Sequence, residues 1–310
     1  MTALLGRDRR TGASVVLVLL VVLIGVNAVL NPARLAPAGI FTTIGLVAPL
    51  MLAALATTPS ILSGGGGIDI SIGPMIGFIN VMMVLFLFEA GIDSPIVVIP
   101  LVLGLGALLG AFNGVLVAYV RLQPIVATLG TFLLFIGLTP WIMSQPGGDA
   151  PEWVLRLGDD FALVPVAFVG VLWFVIYRTP LYRYLMAVGG SSKAAYTSGI
   201  NVARVRVFAY ALGGLIAAVA AIALTALIGS GDPNIGQPIT LKAIAAVALG
   251  GVSLAGGRGG FIGAGAGALV IFQLELALTS TQASTFMIQM IFGIVLVLAV
   301  LFNAIVGRRR

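Results

Sequence analysis

Ser63-Gly64-Gly65-Gly66-Gly67-Ile68-Asp69-Ile70-Ser71-Ile72-Gly73 stands between two strongly apolar runs, 39–57 and about 70–88. Four glycines in a row remove all side-chain bulk, and a carboxylate follows at once. If the flanking runs are membrane helices, this stretch is irregular backbone at or near membrane depth. Such backbone must be buried in protein or line a wet cavity. The fold therefore turns on whether the apolar runs on either side cross a bilayer.

Composition says that they do. Of the 310 residues 60% are hydrophobic and only 8% charged, with a mean hydropathy of +1.18. A soluble domain carries about 25% charged residues, so lipid is the solvent here. There is no cysteine and no histidine, which excludes disulfides, thiolate metal sites, cysteine nucleophiles and histidine acid–base chemistry. The net charge of +6 does not point to nucleic acid, because the basic residues fall between apolar runs. Arg7, Arg9 and Arg10 before the run 14–30, with Ala36-Pro37-Ala38 after it, look like a signal peptide. Further spans follow immediately, however, and the run is read as an uncleaved first helix.

A crossing needs about 20 mostly apolar residues. Ten segments qualify: 14–30, 39–57, 70–88, 95–120, 124–143, 161–177, 207–228, 239–254, 261–278 and 285–306, of which the third and eighth are the weakest as full spans. Charge tests the count. With ten spans and both ends in the cytoplasm, Arg7, Arg9, Arg10, Arg121, Arg178, Arg183, Lys193, Arg204, Arg206, Arg258, Arg308, Arg309 and Arg310 lie inside, 13 of the 16 basic residues. Arg34, Arg156 and Lys242 fall outside, with seven of the ten acids: Glu89, Asp93, Asp149, Glu152, Asp159, Asp160 and Asp232. That bias follows the positive-inside rule. The expected fold is all-α: a polytopic membrane helix bundle of about ten spans, 14–306, with cytoplasmic ends 1–13 and 307–310. Two sets of five helices, about 14–143 and 161–306, can share a fold only with inverted topology, a common transporter plan. Glycine-rich interruptions after the second helix of each set, 63–69 and 229–236, occupy matching places.

Asp69 reads most simply as the N-cap of the third helix, facing the positive end of its dipole; the alternative sets it beside a solute path or gate. The stretch 249–260, Leu-Gly-Gly-Val-Ser-Leu-Ala-Gly-Gly-Arg-Gly-Gly, contains no lysine followed by Ser or Thr as a P-loop requires. The chain does not hydrolyse ATP by that route, and the glycines read as a tight turn between closely packed helices, continuing through Gly263, Gly265 and Gly267. Asn27, Asn80, Asn113, Thr128, Thr131, Gln273, Gln289 and Asn303 are the polar residues inside spans, and Glu275 is the one acid. An ion-coupled carrier keeps ionisable groups near mid-membrane; a path of amides and hydroxyls suits a neutral polar solute. The inner segment 178–206 carries five basic residues and no acid. It holds one short helix, capped by Ser191 or Ser192 and ended by Gly199. That helix either lies on headgroups or docks a cytoplasmic partner.

Several stretches resemble the ribose-type ABC transporter permeases. Gly66-Gly67-Ile68-Asp69-Ile70-Ser71-Ile72-Gly73 is similar to their G-G-I-D-L-S-V-G signature. Pro124-Ile125-Val126-Ala127-Thr128-Leu129-Gly130-Thr131 resembles P-x-x-V-T-L-G-T, and Ser198-Gly199-Ile200-Asn201-Val202 resembles S-G-I-N-V. Asn234-Ile235-Gly236 to Val247, and Leu249 to Gly259, match the second-half pattern, so the matches run in family order from about 40 to 302. The resemblance implies a membrane permease subunit of an importer for a monosaccharide or sugar-like solute, in the bacterial inner membrane. It implies a second permease copy or a similar permease, a cytoplasmic ATPase that holds ATP and Mg, and a periplasmic or lipid-anchored solute-binding protein. No cofactor is expected in this chain. Gly190, Ala194, Ala195, Gly199, Ile200 and Asn201 would dock the ATPase. Gly66, Gly67, Asp69, Ser71, Asn80, Asn113, Thr128 and Thr131 would line the path or its gate. Lys193 departs from the family, which often has an acid before the paired alanines. The competing expectation is a self-contained secondary carrier or facilitator.

Overall fold

The structure, a computed structural model, describes the backbone of residues 2–35 and 37–308 and the side chains of 16–33, 39–40, 42–284, 286–298 and 301. The expectations placed on Arg7, Arg9, Arg10, Arg34, Ala36, Asn303, Arg308, Arg309 and Arg310 fall outside the described backbone or side chains.

The described chain is helical: α1 Thr2–Leu30, α2 Pro37–Leu62, α3 Ile72–Met83, α4 Pro95–Ala118, α5 Pro124–Ile142, α6 Glu152–Arg156, α7 Leu163–Arg178, α8 Pro180–Gly190, α9 Ser192–Thr197, α10 Val202–Ile228, α11 Gln237–Leu249, α12 Phe261–Ser280 and α13 Thr285–Arg308. Proline sets several starts. Pro95, Pro124 and Pro180 stand in the first turns of α4, α5 and α8, where a missing N–H costs nothing. Each predicted apolar segment falls on one helix. Among the described residues five helices are long and apolar enough to cross a membrane, and a sixth counts if α7 and α8, bent by 81° at Thr179, form one broken span. α3 and α11 are shorter, as expected, and α3 closes in a wide turn over Val84–Phe88.

The segment 178–206 differs from its reading. It holds two helices before α10, not one. Thr179 is extended ahead of Pro180, because the proline ring excludes helical backbone from the residue before it. α8 then runs off at the 81° bend with Leu185 and Val188 buried beneath it. α10 begins at Val202, so Arg204 and Arg206 belong to a long helix rather than to a loop.

α2 and α10 form the centre; 83% and 78% of their apolar windows are buried, against 22% for α4 and 28% for α5. α4 and α5 turn Ile96, Leu101, Leu108, Leu133 and Leu134 outward, a surface only hydrocarbon or another apolar partner can cover. Between helices in lipid the hydrophobic effect supplies little, and close packing of small residues takes over. Gly106, Gly110 and Gly114 of α4 lie against the backbone of α10, and a β-carbon at Gly110 would stand 2.2 Å from the Tyr210 carbonyl oxygen. Gly263 and Gly267 of α12 meet Gly250 and Ala246 in the same way, whereas Gly265 faces open space. The helix pairs repeat: α4 packs on α10 as α12 packs on α2, α3 lies on α10 as α11 lies on α2, and α3 touches α5 as α11 touches α13. α3 and α11 cross each other at Gly73 and Gly236, whose backbones leave no room for a side chain.

Two polar contacts join helices inside the bundle. Asn27 of α1 donates to the carbonyl and side chain of Gln273 at 2.8 and 2.7 Å. Lys242 of α11 donates to Glu275 of α12 at 2.5 Å and lies 5.2 Å from the ring centre of Phe292. Glu275 is therefore no lone acid in a span, and Lys242, counted with the outer loops, lies within a helix. The acidic segment 144–160 is also more ordered than a loop. Gly147 and Gly231 exchange hydrogen bonds at 3.0 and 2.9 Å, and α6 carries Trp153, whose indole N–H donates to Asp93 O at 2.6 Å.

Two predictions follow from this packing. Gly110→Leu drives a β-carbon into backbone that cannot yield, and lowers stability in detergent by about 3 kcal/mol; Gly104→Leu, which meets nothing within 4 Å, leaves the melting temperature unchanged. Glu275→Leu strands the Lys242 ammonium and costs about 2 kcal/mol, while Lys242→Met with Glu275→Leu recovers most of that loss in the same thermal assay.

Candidate functional site

The glycine stretch is where α2 ends and α3 has not begun. Ser60 and Ser63 hydroxyls donate to carbonyls one turn back, at 3.0 and 2.6 Å, and so cap the last turn of α2 from within. Gly64, Gly65 and Gly66 then take φ of +74°, +67° and +73°, a run of left-handed backbone that only glycine adopts at no steric cost. The turn closes on Gly67 N–H to Gly64 O at 3.2 Å and Ile68 N–H to Gly66 O at 2.7 Å. Gly65 and Gly66 are exposed, whereas Gly67 is buried with the Ser60 carbonyl where its β-carbon would be.

From Ile68 onward the chain runs inward. Asp69 is buried, and its Oδ1 accepts from the Ser71 N–H at 2.9 Å and the Ser71 hydroxyl at 2.6 Å. α3 starts at Ile72, so Ser71 occupies the N-cap position, and Asp69 closes a turn two residues ahead of it. The cap expected of Asp69 is thus displaced by two residues, to Ser71, and the donors that Asp69 accepts from are those of Ser71. Asn113 of α4 donates to the Ser71 hydroxyl at 2.8 Å, while its own Oδ1 is buried without a donor. Ile70 is held from both sides. Its N–H donates to the Thr128 hydroxyl of α5 at 3.3 Å, and its carbonyl accepts from the Thr240 hydroxyl of α11 at 3.3 Å. Tyr210 of α10 is buried nearby, its hydroxyl without a partner and within electrostatic reach of Asp69 and Arg206.

Asp69, Ser71, Asn113 and Thr128 therefore come together around the break. Thr131 does not join them; it donates to Thr128 O one turn along α5, at 3.2 Å. Asn80 sits at the other end of α3, roughly 12 Å from Ile72 along the axis. There its amide donates to Thr225 Oγ1 at 2.7 Å and Ser230 O at 3.0 Å and accepts from Asp232 N–H at 2.8 Å. It fastens the second interruption, 229–236, as the first cluster fastens the first. Thr240 and Tyr210 were not singled out from sequence. Thr240 lies in α11 as Asn113 lies in α4, close in space and far in sequence.

The second group gathers at α8–α10. Ser191 caps α9, its hydroxyl accepting from Ala194 N–H at 3.2 Å. Gly199, at φ +83°, ends it, and Ile200 N–H returns to Ala195 O at 3.0 Å. Both were readable, since a hydroxyl cap and a left-handed glycine bracket the helix. Asn201 has a local role that was not foreseen: its Oδ1 accepts from Arg204 N–H at 3.0 Å and caps α10. Ala194 is exposed and Ala195 buried, so the paired alanines face opposite ways. Gly199, Ile200 and Asn201 stand on a ridge between grooves of about 550 and 430 Å³.

The two groups touch through glycine. Gly190 closes α8 and meets Gly257, Gly189 lies against the Leu62 carbonyl and Gly257, and Gly256 lies against Gly64. Gly257 N–H donates to Leu62 O at 3.1 Å. Among the described residues no three metal-ligating side chains cluster.

Comparison with known proteins fits this architecture. Residues 39–300 match the family described as "Branched-chain amino acid transport system / permease component". The ribose import permease protein of Bacillus subtilis is 36% identical over 92% of this chain and 90% of its own length. The fructose import permease protein of Rhizobium meliloti is 35% identical over 76% of this chain and 69% of its own, and the autoinducer 2 import system permease protein of Photorhabdus temperata 35% over 86% and 81%. No solved structure matches. A polytopic helix bundle matched over most of its length by import permeases, this chain belongs to this family of transport-system permease components, as the membrane-spanning subunit of an ABC importer.

Proposed function

We propose that the chain translocates a monosaccharide or sugar-like solute across the bacterial inner membrane, handed over by an extracytoplasmic binding protein and driven by a separate cytoplasmic ATPase that holds ATP and Mg. The observation that carries this reading is the extent of similarity to import permeases named for ribose and fructose. The family description names branched-chain amino acids instead. An amino acid is a zwitterion and calls for charged partners on its path. Within the bundle Lys242 and Glu275 neutralise each other, and Asp69 is taken up by Ser71. Apart from the Arg206 guanidinium at the glycine turn, the groups around the first break are amide, hydroxyl and backbone, which suits a neutral polyol.

In this reading the chain has ten spans with both termini cytoplasmic, arranged as two inverted five-helix repeats, 14–143 and 161–306. The mirrored helix contacts and the α3–α11 crossing support it, as does the placement of basic residues. The 178–206 segment is the coupling element, with Gly190, Ala194, Ala195, Gly199, Ile200 and Asn201 against the ATPase. Gly66, Gly67, Asp69, Ser71, Asn113 and Thr128 form a gate at the first break; Asn80 and Thr131 support it. Two permeases, identical or similar, enclose the path, and α4 and α5 supply apolar outer surface for lipid or for the second copy.

Two measurements test this. Liposomes holding the chain with its ATPase and binding protein take up labelled ribose or fructose only with ATP; uptake of leucine instead, or sugar uptake by the chain alone, overturns the assignment. Deleting 194–200 abolishes uptake while membrane insertion survives, and normal transport by that variant removes the docking role.

A further inference from the structure

Arg206 reaches from the α9 region to the glycine turn. It lies in the second turn of α10. Its Nη2 donates to the Ser192 hydroxyl in α9 at 3.0 Å, and that hydroxyl donates in turn to Val188 O at the end of α8, at 3.1 Å. The same Nη2 lies 2.6 Å from where a β-carbon of Gly65 would be, with the guanidinium carbon at 3.3 Å, so the head group rests on the exposed glycine turn. Its Nε is buried and donates to nothing. Further along the same helix, the buried Tyr210 is within electrostatic reach of both Arg206 and Asp69. A planar, always-charged group with five donors suits this position as a flexible ammonium does not.

We propose that Arg206 is the positioning residue that ties α9 to the Gly64–Gly67 turn, so that a displacement of α9 is passed to the α2–α3 break. The link rests on the reading of α9 as the element that meets the ATPase. The glycine contacts between α8, the 256–257 loop and the end of α2 are a second bond between the same parts, but they are backbone on backbone and transmit only as a rigid body. Arg206 is the contact that can release. Its unused Nε–H leaves it a donor free to take another acceptor when the turn moves, and Gly65 must stay glycine for Nη2 to come this close to the turn.

The test has two arms that fail separately. In the purified full-length chain, amide hydrogen exchange at Gly67 and Ile68 rises about fivefold in Arg206→Met, Ser192→Ala shifts the same two amides in the same direction, and amides in the centre of α2 and α10 stay unchanged. This arm needs no partner, and unchanged exchange at Gly67 and Ile68 in both variants overturns the link. In liposomes with the ATPase and binding protein, Arg206→Met lowers solute moved per ATP hydrolysed by about tenfold with the ATPase still bound, and Arg206→Lys is intermediate. An unaltered ratio alongside faster exchange overturns the coupling role. If deletion of 194–200 leaves ATPase binding intact, the docking reading fails on its own, and the exchange arm still judges the link. Should Arg206→Met not fold, Ser192→Ala, whose side chain merely loses a hydroxyl, decides both arms.

Discussion

An amide or carbonyl that leaves a helix inside hydrocarbon has no water to turn to and must find its partner within the protein. Two helices of this chain are interrupted, after α2 and after α10, and the rest of the structure is arranged around satisfying those interruptions. Ile70 has its N–H taken by Thr128 and its carbonyl by Thr240. Ser71 is met by Asp69 and Asn113. At the second interruption a single residue, Asn80, supplies three hydrogen bonds. The buried polar residues of this bundle are thus mostly fasteners of broken backbone. Any path for solute is bounded by groups that are already committed to holding the break.

The same absence of water explains why glycine and not leucine decides the packing. Apolar side chains gain little by leaving lipid for one another, so helices associate where their backbones approach closely. Gly106, Gly110 and Gly114 bring α4 onto α10, and Gly263 and Gly267 bring α12 onto α11. Large apolar residues also cover the outer faces of α4 and α5, an exposure that lipid tolerates and water does not.

The helices were legible because hydropathy and length suffice for them, and α9 because Ser191 and Gly199 mark its ends. α8 was not. Its eleven residues include two tyrosines and an arginine, so it lacks an apolar run, and Pro180 alone does not say whether a helix restarts. Asp69 was recognised as important from its position after four glycines, yet its turn geometry depends on where α3 starts, a boundary that Ser71 decides. Thr240 and the Lys242–Glu275 pair make contacts between elements far apart in sequence; no local pattern marks them, and charge counting assigned Lys242 to the outer side although it lies within the eighth apolar segment. The glycine spacing 106, 110, 114 was present in plain view and passed over, because the apolar character of the segment already accounted for it.

The glycine contacts joining α2, α8 and the loop before α12 have a consequence for how the chain can change. A crowded core site is ordinarily rescued by shrinking a neighbour. At this junction the neighbours of Gly64 are Gly189 and Gly256, and those of Gly257 are Gly189 and Gly190. Each has already lost everything a side chain can lose. A methyl group added at Gly64, Gly189, Gly256 or Gly257 meets main chain, and no second substitution can make way for it. Three separate stretches of sequence are therefore locked into one composition, not by what they carry but by the lack of anything left to remove.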